Sequence, residues 1–332
     1  MQNLAKLLNF NRKTMINVAI GLVLAILCSY FVFSKVNFND IVKAIEKANV
    51  FYLCIAFLVS VFSHWLRALR FNLLLKPLTD QKISLFNTFS TIMFGYSINI
   101  AIPRAGEIAR TVFFSQLENL PISLIAPTVV MERLLDILVL GLMAILSFYL
   151  LPQRIAIYLP WLKGVSVTLF GICMVGFSLV PIIPSILNKM AKYIKINKLE
   201  DIISQVENGF KCLNEPKLYP GIALYTFLMW AMYLLNYVAV LASLHLAVKD
   251  YINVLFTTFL AGSLSVLIPT PGCAGSFHLI VSETLSHLST ITLNQAIIFA
   301  TVLHFICFIL TTILPSLVCA IILMVRKIRL KV

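Results

Sequence analysis

The stretch from Pro103 to Arg110 carries three charged side chains within an apolar part of the chain. Its sequence, Pro-Arg-Ala-Gly-Glu-Ile-Ala-Arg, spaces Arg104, Glu107 and Arg110 three residues apart. If a helix begins at Pro103, the three side chains lie along one side and Glu107 reaches either arginine. A phosphate group would find exposed N–H groups and guanidinium groups there. This spacing predicts an anion site, and the alternative is mutual neutralisation of the charges at a membrane interface.

A second charged cluster, Glu132, Arg133 and Asp136, interrupts another apolar run. On a helix the two carboxylates lie one turn apart, and Arg133 reaches Asp136 at i+3. The cluster could balance the charge of Arg104 and Arg110 across a cavity. The alternative is that it lies near the cytoplasmic end of its span and extends into the interface.

A third group of chemically capable residues follows Pro269, in the sequence Pro-Thr-Pro-Gly-Cys-Ala-Gly-Ser-Phe-His. Glycines at 272 and 275 would let the backbone approach a ligand closely. His278 could titrate or bind phosphate, whereas the alternative for a lone histidine in a span is a hydrogen-bonded packing role, and His304 follows in the last span.

Two of these groups, those after Pro103 and Pro269, lie at breaks in the hydrophobic pattern. Residues 86–106 align without gaps with residues 252–272, and six of the 21 positions are identical. Each segment ends in a Pro/Gly-containing interruption of an apolar run. Such interruptions at corresponding places in two halves of a membrane protein are a pointer to a transporter-type binding site.

The composition requires a membrane. Hydrophobic residues make up 60% of the 332-residue chain, charged residues make up 12%, and the mean hydropathy is +0.97. We expect an all-α polytopic membrane protein, with two broken segments near 83–118 and 252–290. About six full spans are predicted, near 16–34, 50–66, 124–151, 161–183, 219–246 and 294–325.

The loop charges predict the topology. Stretches 1–15, 67–82, 184–218 and 326–332 hold 17 lysines and arginines, against six in the loops 35–49, 152–163 and 247–251. The positive-inside rule then places both termini in the cytoplasm. The broken segments must enter the membrane from opposite sides as re-entrant hairpins, and irregular backbone at that depth implies a cavity.

We therefore predict one domain, 1–332, built as an inverted repeat of about 50–151 and 219–325. The intervening 161–218 would hold a linking span and a basic segment that is either an amphipathic surface helix or a solvated linker. Arg67 and Arg70 are interpreted as cytoplasmic anchors beside an aromatic belt. The net charge of +13 belongs to these flanks and not to nucleic-acid binding, and seven scattered cysteines predict neither metal nor cofactor.

Several motifs together resemble a known family. They are Arg67-x-x-Arg70, Asn99-x-x-x-Pro103-Arg104-x-Gly106-Glu107-x-x-Arg110, Glu132-Arg133-x-x-Asp136 and Pro269-x-Pro271-Gly272-x-x-Gly275. In this order they resemble the integral membrane family that shares the flippase-like transmembrane domain of lysylphosphatidylglycerol synthase, including its UPF-type members. The chain departs from the family pattern at Cys273, His278 and His304.

The resemblance implies a bacterial or archaeal inner-membrane protein that handles phospholipids or lipid-linked head groups. We expect a lipid transporter without catalytic residues, since the aminoacyltransferase domain of the synthase has no counterpart in the sequence. Its partners would be membrane lipids with anionic head groups. The predicted substrate-binding residues are Asn99, Arg104, Glu107, Arg110, Glu132, Arg133, Asp136, Gly272, Gly275, Ser276, His278 and His304.

Two other functions stay open at this point. An intramembrane enzyme could use Ser276 with His278 or His304 as a nucleophile and base. Alternatively, the chain could be an accessory protein that holds an enzyme of envelope glycolipid synthesis through the same basic and amphipathic features.

Overall fold

The computed structural model describes residues 12–150, 215–248 and 251–329 and a few residues between 164 and 175. This part of the chain is helical and contains no strand, which confirms the all-α prediction. The predicted span near 161–183 and the basic segment after it lie largely outside the described residues. The helices are α1 (Arg12–Phe33), α2 (Phe38–Lys47), α3 (Val50–Leu75), α4 (Leu85–Ala101), α5 (Ala105–Glu118), α6 (Ile122–Leu150), α7 (Tyr219–Ser243), α8 (Tyr251–Leu264), α9 (Ser276–Leu288), α10 (Leu293–His304) and α11 (Thr311–Arg329).

Three helical stretches in the described ranges are long and apolar enough to cross a membrane, namely Val50–Leu78, Pro216–Ser243 and Leu293–Arg326. A fourth is added if α1 and α2, which meet at a bend of 77°, count as one span. The last stretch is continuous because a π-helical segment, Phe305–Leu310, joins α10 to α11.

The centre of the molecule is an antiparallel pair formed by α3 and α7. The N–H of Asn49, which caps α3, donates to the carbonyl of Ser243 at the end of α7 over 2.8 Å. Further along, the amide of Asn236 donates to Ser60 Oγ over 2.8 Å. These contacts fix the register of the pair, so that the start of α3 lies beside the end of α7.

Helices α4 and α5 form the first hairpin. The backbone turns at Ile102, which is extended, and at Arg104, which adopts the left-handed conformation with φ 65°. The arms pack closely because Gly106 lacks a side chain: a Cβ there would lie 2.6 Å from Asn99 Cγ. Asn99 Oδ1 instead accepts the N–H of Gly106 over 2.7 Å. The helix is thus interrupted at Pro103, where the sequence predicts a break.

Helices α8 and α9 form the second hairpin, with an irregular tip from 265 to 275. Gly272 and Gly275 adopt positive φ there, at 54° and 77°. A Cβ on Gly272 would lie 3.5 Å from Ile100 Cα of the first hairpin, so the two tips touch. Helix α1 covers the second tip, since a Cβ on Gly275 would lie 2.8 Å from Ala25 O.

Contacts with α3 and α7 show where the hairpins run. Thr88 in the first hairpin donates to Asn72 near the C-terminal end of α3 over 2.7 Å, and the Tyr96 ring lies 5.0 Å from His64 near its middle. In the second hairpin, Phe259 packs 5.3 Å from Tyr237, close to the C-terminal end of α7. The hairpins therefore start at opposite ends of the central pair and extend toward each other.

Candidate functional site

A cavity of about 340 Å³ lies between the hairpin tips and the central helix pair. The first tip contributes Asn99 and Ile100, and the second contributes Ser263, Val266 and Gly272. The volume falls within the range of roughly 300–1,000 Å³ that is usual for small-molecule sites. The sequence argument that broken helices require a cavity therefore agrees with the structure.

The cavity wall has two chemically different parts. Charged side chains cluster in one part, where Arg67, Glu107, Arg133 and Asp136 contribute two charges of each sign. The other part is mainly aromatic and includes Trp230, Tyr237, Phe259, Phe277 and Phe308. A cavity of this kind suits an amphipathic ligand better than a wholly polar or wholly apolar one.

A buried ion network lies behind the charged part. Arg67 Nη2 contacts Asp136 Oδ2 at 3.0 Å and its Nη1 lies 3.2 Å from Glu132 Oε1. Arg70 Nη2 contacts Asp136 Oδ1 at 2.7 Å and Glu132 Oε1 at 3.3 Å. Arg70 and Glu132 are wholly closed to solvent. The network joins α3 to α6, because arginines one turn apart meet carboxylates one turn apart.

This placement corrects the interpretation of Arg67 and Arg70 as cytoplasmic anchors. Both are buried, at 4% and 0% exposure, and both are paired with α6. The signal that could have identified them was present in the sequence. Two arginines at i and i+3 lie about one helical turn apart at the end of one span, as do Glu132 and Asp136 at i and i+4 in another, and buried charges require partners.

Arg110 also belongs to the network. Its Nη1 contacts Glu132 Oε2 at 2.7 Å, and its guanidinium carbon lies 4.3 Å from the centre of the Phe71 ring. The α6 cluster thus balances Arg110, as one of the two sequence interpretations had it. The expected pairing of Glu107 with Arg110 is wrong, since Arg110 turns toward Glu132.

The network holds more positive than negative charge. Arg67, Arg70 and Arg110 face only Glu132 and Asp136, which leaves one positive charge within the described residues. The Nε atoms of these three arginines are buried and have no hydrogen-bond partner among the described residues. Buried guanidinium groups with an excess positive charge and unbonded N–H donors favour an additional anion nearby.

Glu107 and Arg133 form a looser pair at the edge of the network. Arg133 Nη2 lies 3.9 Å from Glu107 Oε1, and Arg133 Nη1 lies 3.5 Å from Asp136 Oδ2. Their side chains are 34% and 35% exposed. Asn99 Nδ2 donates to Glu107 over 3.5 Å. The expected pairing of Glu107 with Arg104 is also wrong, because Glu107 faces Arg133 on α6.

Arg104 lies at the first hairpin tip and is not part of the cavity wall. It is exposed, and its Nη2 donates to the carbonyl of Leu267 in the second hairpin over 3.4 Å. The structure therefore gives Arg104 a contact between the tips.

The predicted residues at the tip of the second hairpin, together with His304 at the end of α10, bond mainly to one another. His304 Nε2 lies 2.7 Å from Gly272 O, and Gly275 N donates to His278 Nδ1 over 3.3 Å. The two imidazole rings are 4.7 Å apart and buried. Ser276 Oγ bonds Thr270 Oγ1 over 2.8 Å and also Cys273 O. These contacts give the Ser276 hydroxyl a structural role in the tip.

Helices of membrane-spanning length and two hairpins that meet at an amphipathic cavity define a helical membrane protein. Comparison with known families then places it. The family model described as the lysylphosphatidylglycerol synthase TM region matches residues 18–314, and the chain belongs to this family.

A curated relative is similar over part of its length. The UPF0104 membrane protein MJ1595 of Methanocaldococcus jannaschii is 25% identical over 197 residues, which cover 55% of this chain and 57% of the relative. The match thus spans little more than half of each protein. No solved structure matches the chain.

Proposed function

We propose that the protein moves a lipid with an anionic head group between membrane leaflets. The observation that carries this proposal is the cavity between the two hairpin tips, with ion pairs in one part of its wall and aromatic rings in the other. The head group would occupy the cavity while the acyl chains stay in hydrocarbon. Membership of a family described by the transmembrane region of a lipid synthase supports a lipid as the ligand.

The charge of the buried network supports an anion. One positive charge stays unbalanced among the three arginines and two carboxylates. A phosphodiester carries a single negative charge, so its arrival near the network would balance that charge. Arginine guanidinium groups bind phosphate oxygens through charge-assisted hydrogen bonds.

The packing supports the inverted repeat that the sequence predicts. The equivalent helices of the two halves, α3 and α7, pack antiparallel, as two elements related by an axis in the membrane plane must. The hairpin that follows α3 and the hairpin that follows α7 start at opposite ends of this pair. We propose that the hairpins enter the membrane from opposite faces, that about six spans surround them, and that both termini are cytoplasmic.

Helix α2 supports the same placement. It bends 77° from α1, so it would lie nearly parallel to the membrane if α1 crosses it. Phe38, Val42 and Ile45 form an exposed apolar stripe at i, i+4 and i+7, with Lys43 and Lys47 on another face. A helix with this pattern rests in the membrane interface. We place it on the non-cytoplasmic side of a bacterial or archaeal inner membrane.

Reconstitution tests the proposal directly. Purified protein in vesicles should accelerate the movement of a fluorescent phosphatidylglycerol between leaflets, measured as the fraction quenched by an external reductant. Ser263→Phe would fill part of the cavity without touching the ion network, and we expect it to abolish the acceleration.

The matched control is Leu224→Phe, which adds a ring of the same kind to a position that is 53% exposed on α7. It should leave transport unchanged. Transport that is no faster than in protein-free vesicles, or that survives Ser263→Phe in full, would contradict the proposal.

A further inference from the structure

The cations of the charged cluster differ in how firmly they are held. Arg67, Arg70 and Arg110 each make a contact of 3.0 Å or less to a carboxylate and are at most 4% exposed. Among the described residues, Arg133 makes no carboxylate contact below 3.5 Å, and its side chain is 35% exposed. It is therefore the arginine of the cavity wall that an incoming anion can engage at the smallest loss of existing contacts.

Glu107 is held as loosely as its partner. Its contacts are Arg133 Nη2 at 3.9 Å and Asn99 Nδ2 at 3.5 Å, and its side chain is 34% exposed. Both Glu107 and Arg133 border the main cavity and also a small void of about 10 Å³ beside Gly106. The carboxylate thus lies where an anionic ligand would approach the guanidinium.

We propose that Arg133 binds the phosphate of the ligand and that Glu107 occupies the same guanidinium until the ligand arrives. This inference rests on the proposed lipid function and names the atoms that receive the head group. The ligand chemistry is a phosphodiester, because one negative charge balances the network. A carboxylate and a phosphate cannot both share one guanidinium edge without repelling each other, so the phosphate displaces Glu107.

The displacement links ligand binding to the first hairpin. Glu107 lies in the first turn of α5, and Arg133 lies on α6, so their contact joins the hairpin to its neighbour near the tip. The contact between Arg110 and Glu132 at 2.7 Å is deeper and stays in place. Release of Glu107 therefore loosens the tip while the buried pair still holds the hairpin to α6.

When Glu107 is neutralised, the sign of the change in ligand affinity distinguishes a carboxylate that competes with the ligand from one that binds it. A carboxylate that binds a cationic part of the ligand would weaken binding when it is neutralised. A carboxylate that competes with the ligand would strengthen binding when it is neutralised. Glu107→Gln keeps the shape of the side chain and removes the charge, which makes it the deciding variant.

The experiment measures the affinity of the purified full-length protein for dihexanoyl phosphatidylglycerol by isothermal titration calorimetry, with inorganic phosphate in a parallel arm. Arg133→Gln should weaken lipid binding at least tenfold. Glu107→Gln should tighten it about two- to fivefold, the range expected from a partly exposed ion pair. Inorganic phosphate should bind much more weakly than the lipid in every variant.

Glu283→Gln is the matched control. Glu283 is also 34% exposed and pairs with Lys35 at 3.1 Å, but it does not border the cavity. Its neutralisation should leave the affinity unchanged. In the double variant Glu107→Gln, Arg133→Gln, the gain from the first change should vanish, because that gain acts through Arg133.

The outcomes separate this inference from the proposed function. Unchanged or weaker lipid binding in Glu107→Gln, or unchanged binding in Arg133→Gln, overturns the inference while lipid binding by the native protein still supports the function. Tight binding of inorganic phosphate without lipid binding overturns the lipid assignment. Absence of binding and transport in the native protein overturns both.

Discussion

Arg70 Nη2 and Asp136 Oδ1 lie 2.7 Å apart in a region that excludes solvent, and this contact ties the end of α3 to the middle of α6. The same guanidinium lies 3.3 Å from Glu132, which also holds Arg67 and Arg110. One acidic side chain thus joins three arginines from two elements. The first hairpin and the central helix pair are fastened at this point.

Removal of Arg70 should destabilise the protein strongly. Arg70→Met keeps much of the side-chain volume but removes the buried contacts to Asp136 at 2.7 Å and to Glu132 at 3.3 Å, and we expect a loss of about 3–5 kcal/mol. Thermal and denaturant unfolding of the detergent-solubilised protein measure it. Lys35→Met is the comparison because it breaks a partly exposed pair of 3.1 Å and should cost no more than about 1 kcal/mol. Equal losses in the two variants would show that burial does not set the strength of this network.

The close approach of the hairpin arms should make Gly106 intolerant of a methyl group. A Cβ there would lie 2.7 Å from Asn99 Nδ2 and even closer to the carbonyl of Gly95. Gly106→Ala should therefore cost about 1–3 kcal/mol through overpacking, measured by the same unfolding assays. Among the described residues, a Cβ at Gly171 meets nothing within 4 Å, so Gly171→Ala serves as the control. A stable Gly106→Ala protein would argue against the observed packing of α4 on α5.

Arg104 should affect the stability of the protein through the strain of its backbone conformation, and it should not contribute to ligand binding. Its φ of 65° costs a non-glycine residue about 1 kcal/mol or more, whereas glycine adopts it freely. Arg104→Gly and Arg104→Ala both lose the contact to Leu267 O, but only the alanine keeps the strain. We expect the glycine variant to be more stable by about 1 kcal/mol. Both should bind the head group normally, and a large loss of affinity in either would return Arg104 to the binding site.

The exposed stripe on α2 should contact lipid. Spin labels at Val42→Cys and Lys43→Cys, in a variant without the native cysteines, can be compared in vesicles by electron paramagnetic resonance. The label at 42 should be relaxed mainly by oxygen, which concentrates in hydrocarbon, and the label at 43 by a water-soluble nickel chelate. Equal response at the two positions would show that α2 does not lie in the interface.

Much of the architecture was visible in the sequence for local reasons. Pro103 and Gly106 interrupt a hydrophobic run, as do Pro269 and Gly272, and the chain breaks its helices at both places. Proline lacks an N–H and clashes with the preceding turn, so this outcome depends on few distant contacts. The α6 cluster was interpreted either as a balance for Arg104 and Arg110 or as an interfacial group, and the structure pairs it with Arg110.

The sequence did not show which charged side chains pair with one another. The sequence favoured Glu107 as the partner of Arg104 or Arg110, because i, i+3 neighbours are close on a helix. In the structure Arg110 pairs with Glu132 and Glu107 faces Arg133, since α6 brings carboxylates and a guanidinium alongside the hairpin. Arg67 and Arg70 were misjudged for a related reason, because their position near the end of a span suggested solvent.

The amino-acid order by itself determined the membrane class, the all-helical composition and the two breaks, since hydrophobicity and backbone geometry act over a few residues. Only the tertiary structure decided that the two tips touch, that α3 and α7 run antiparallel with Ser60 beside Asn236, and that Arg133 faces the cavity with loose contacts. These relations join residues that are tens to more than a hundred positions apart. The register in which the helices pack sets these relations, and that register depends on all the contacts along both helices.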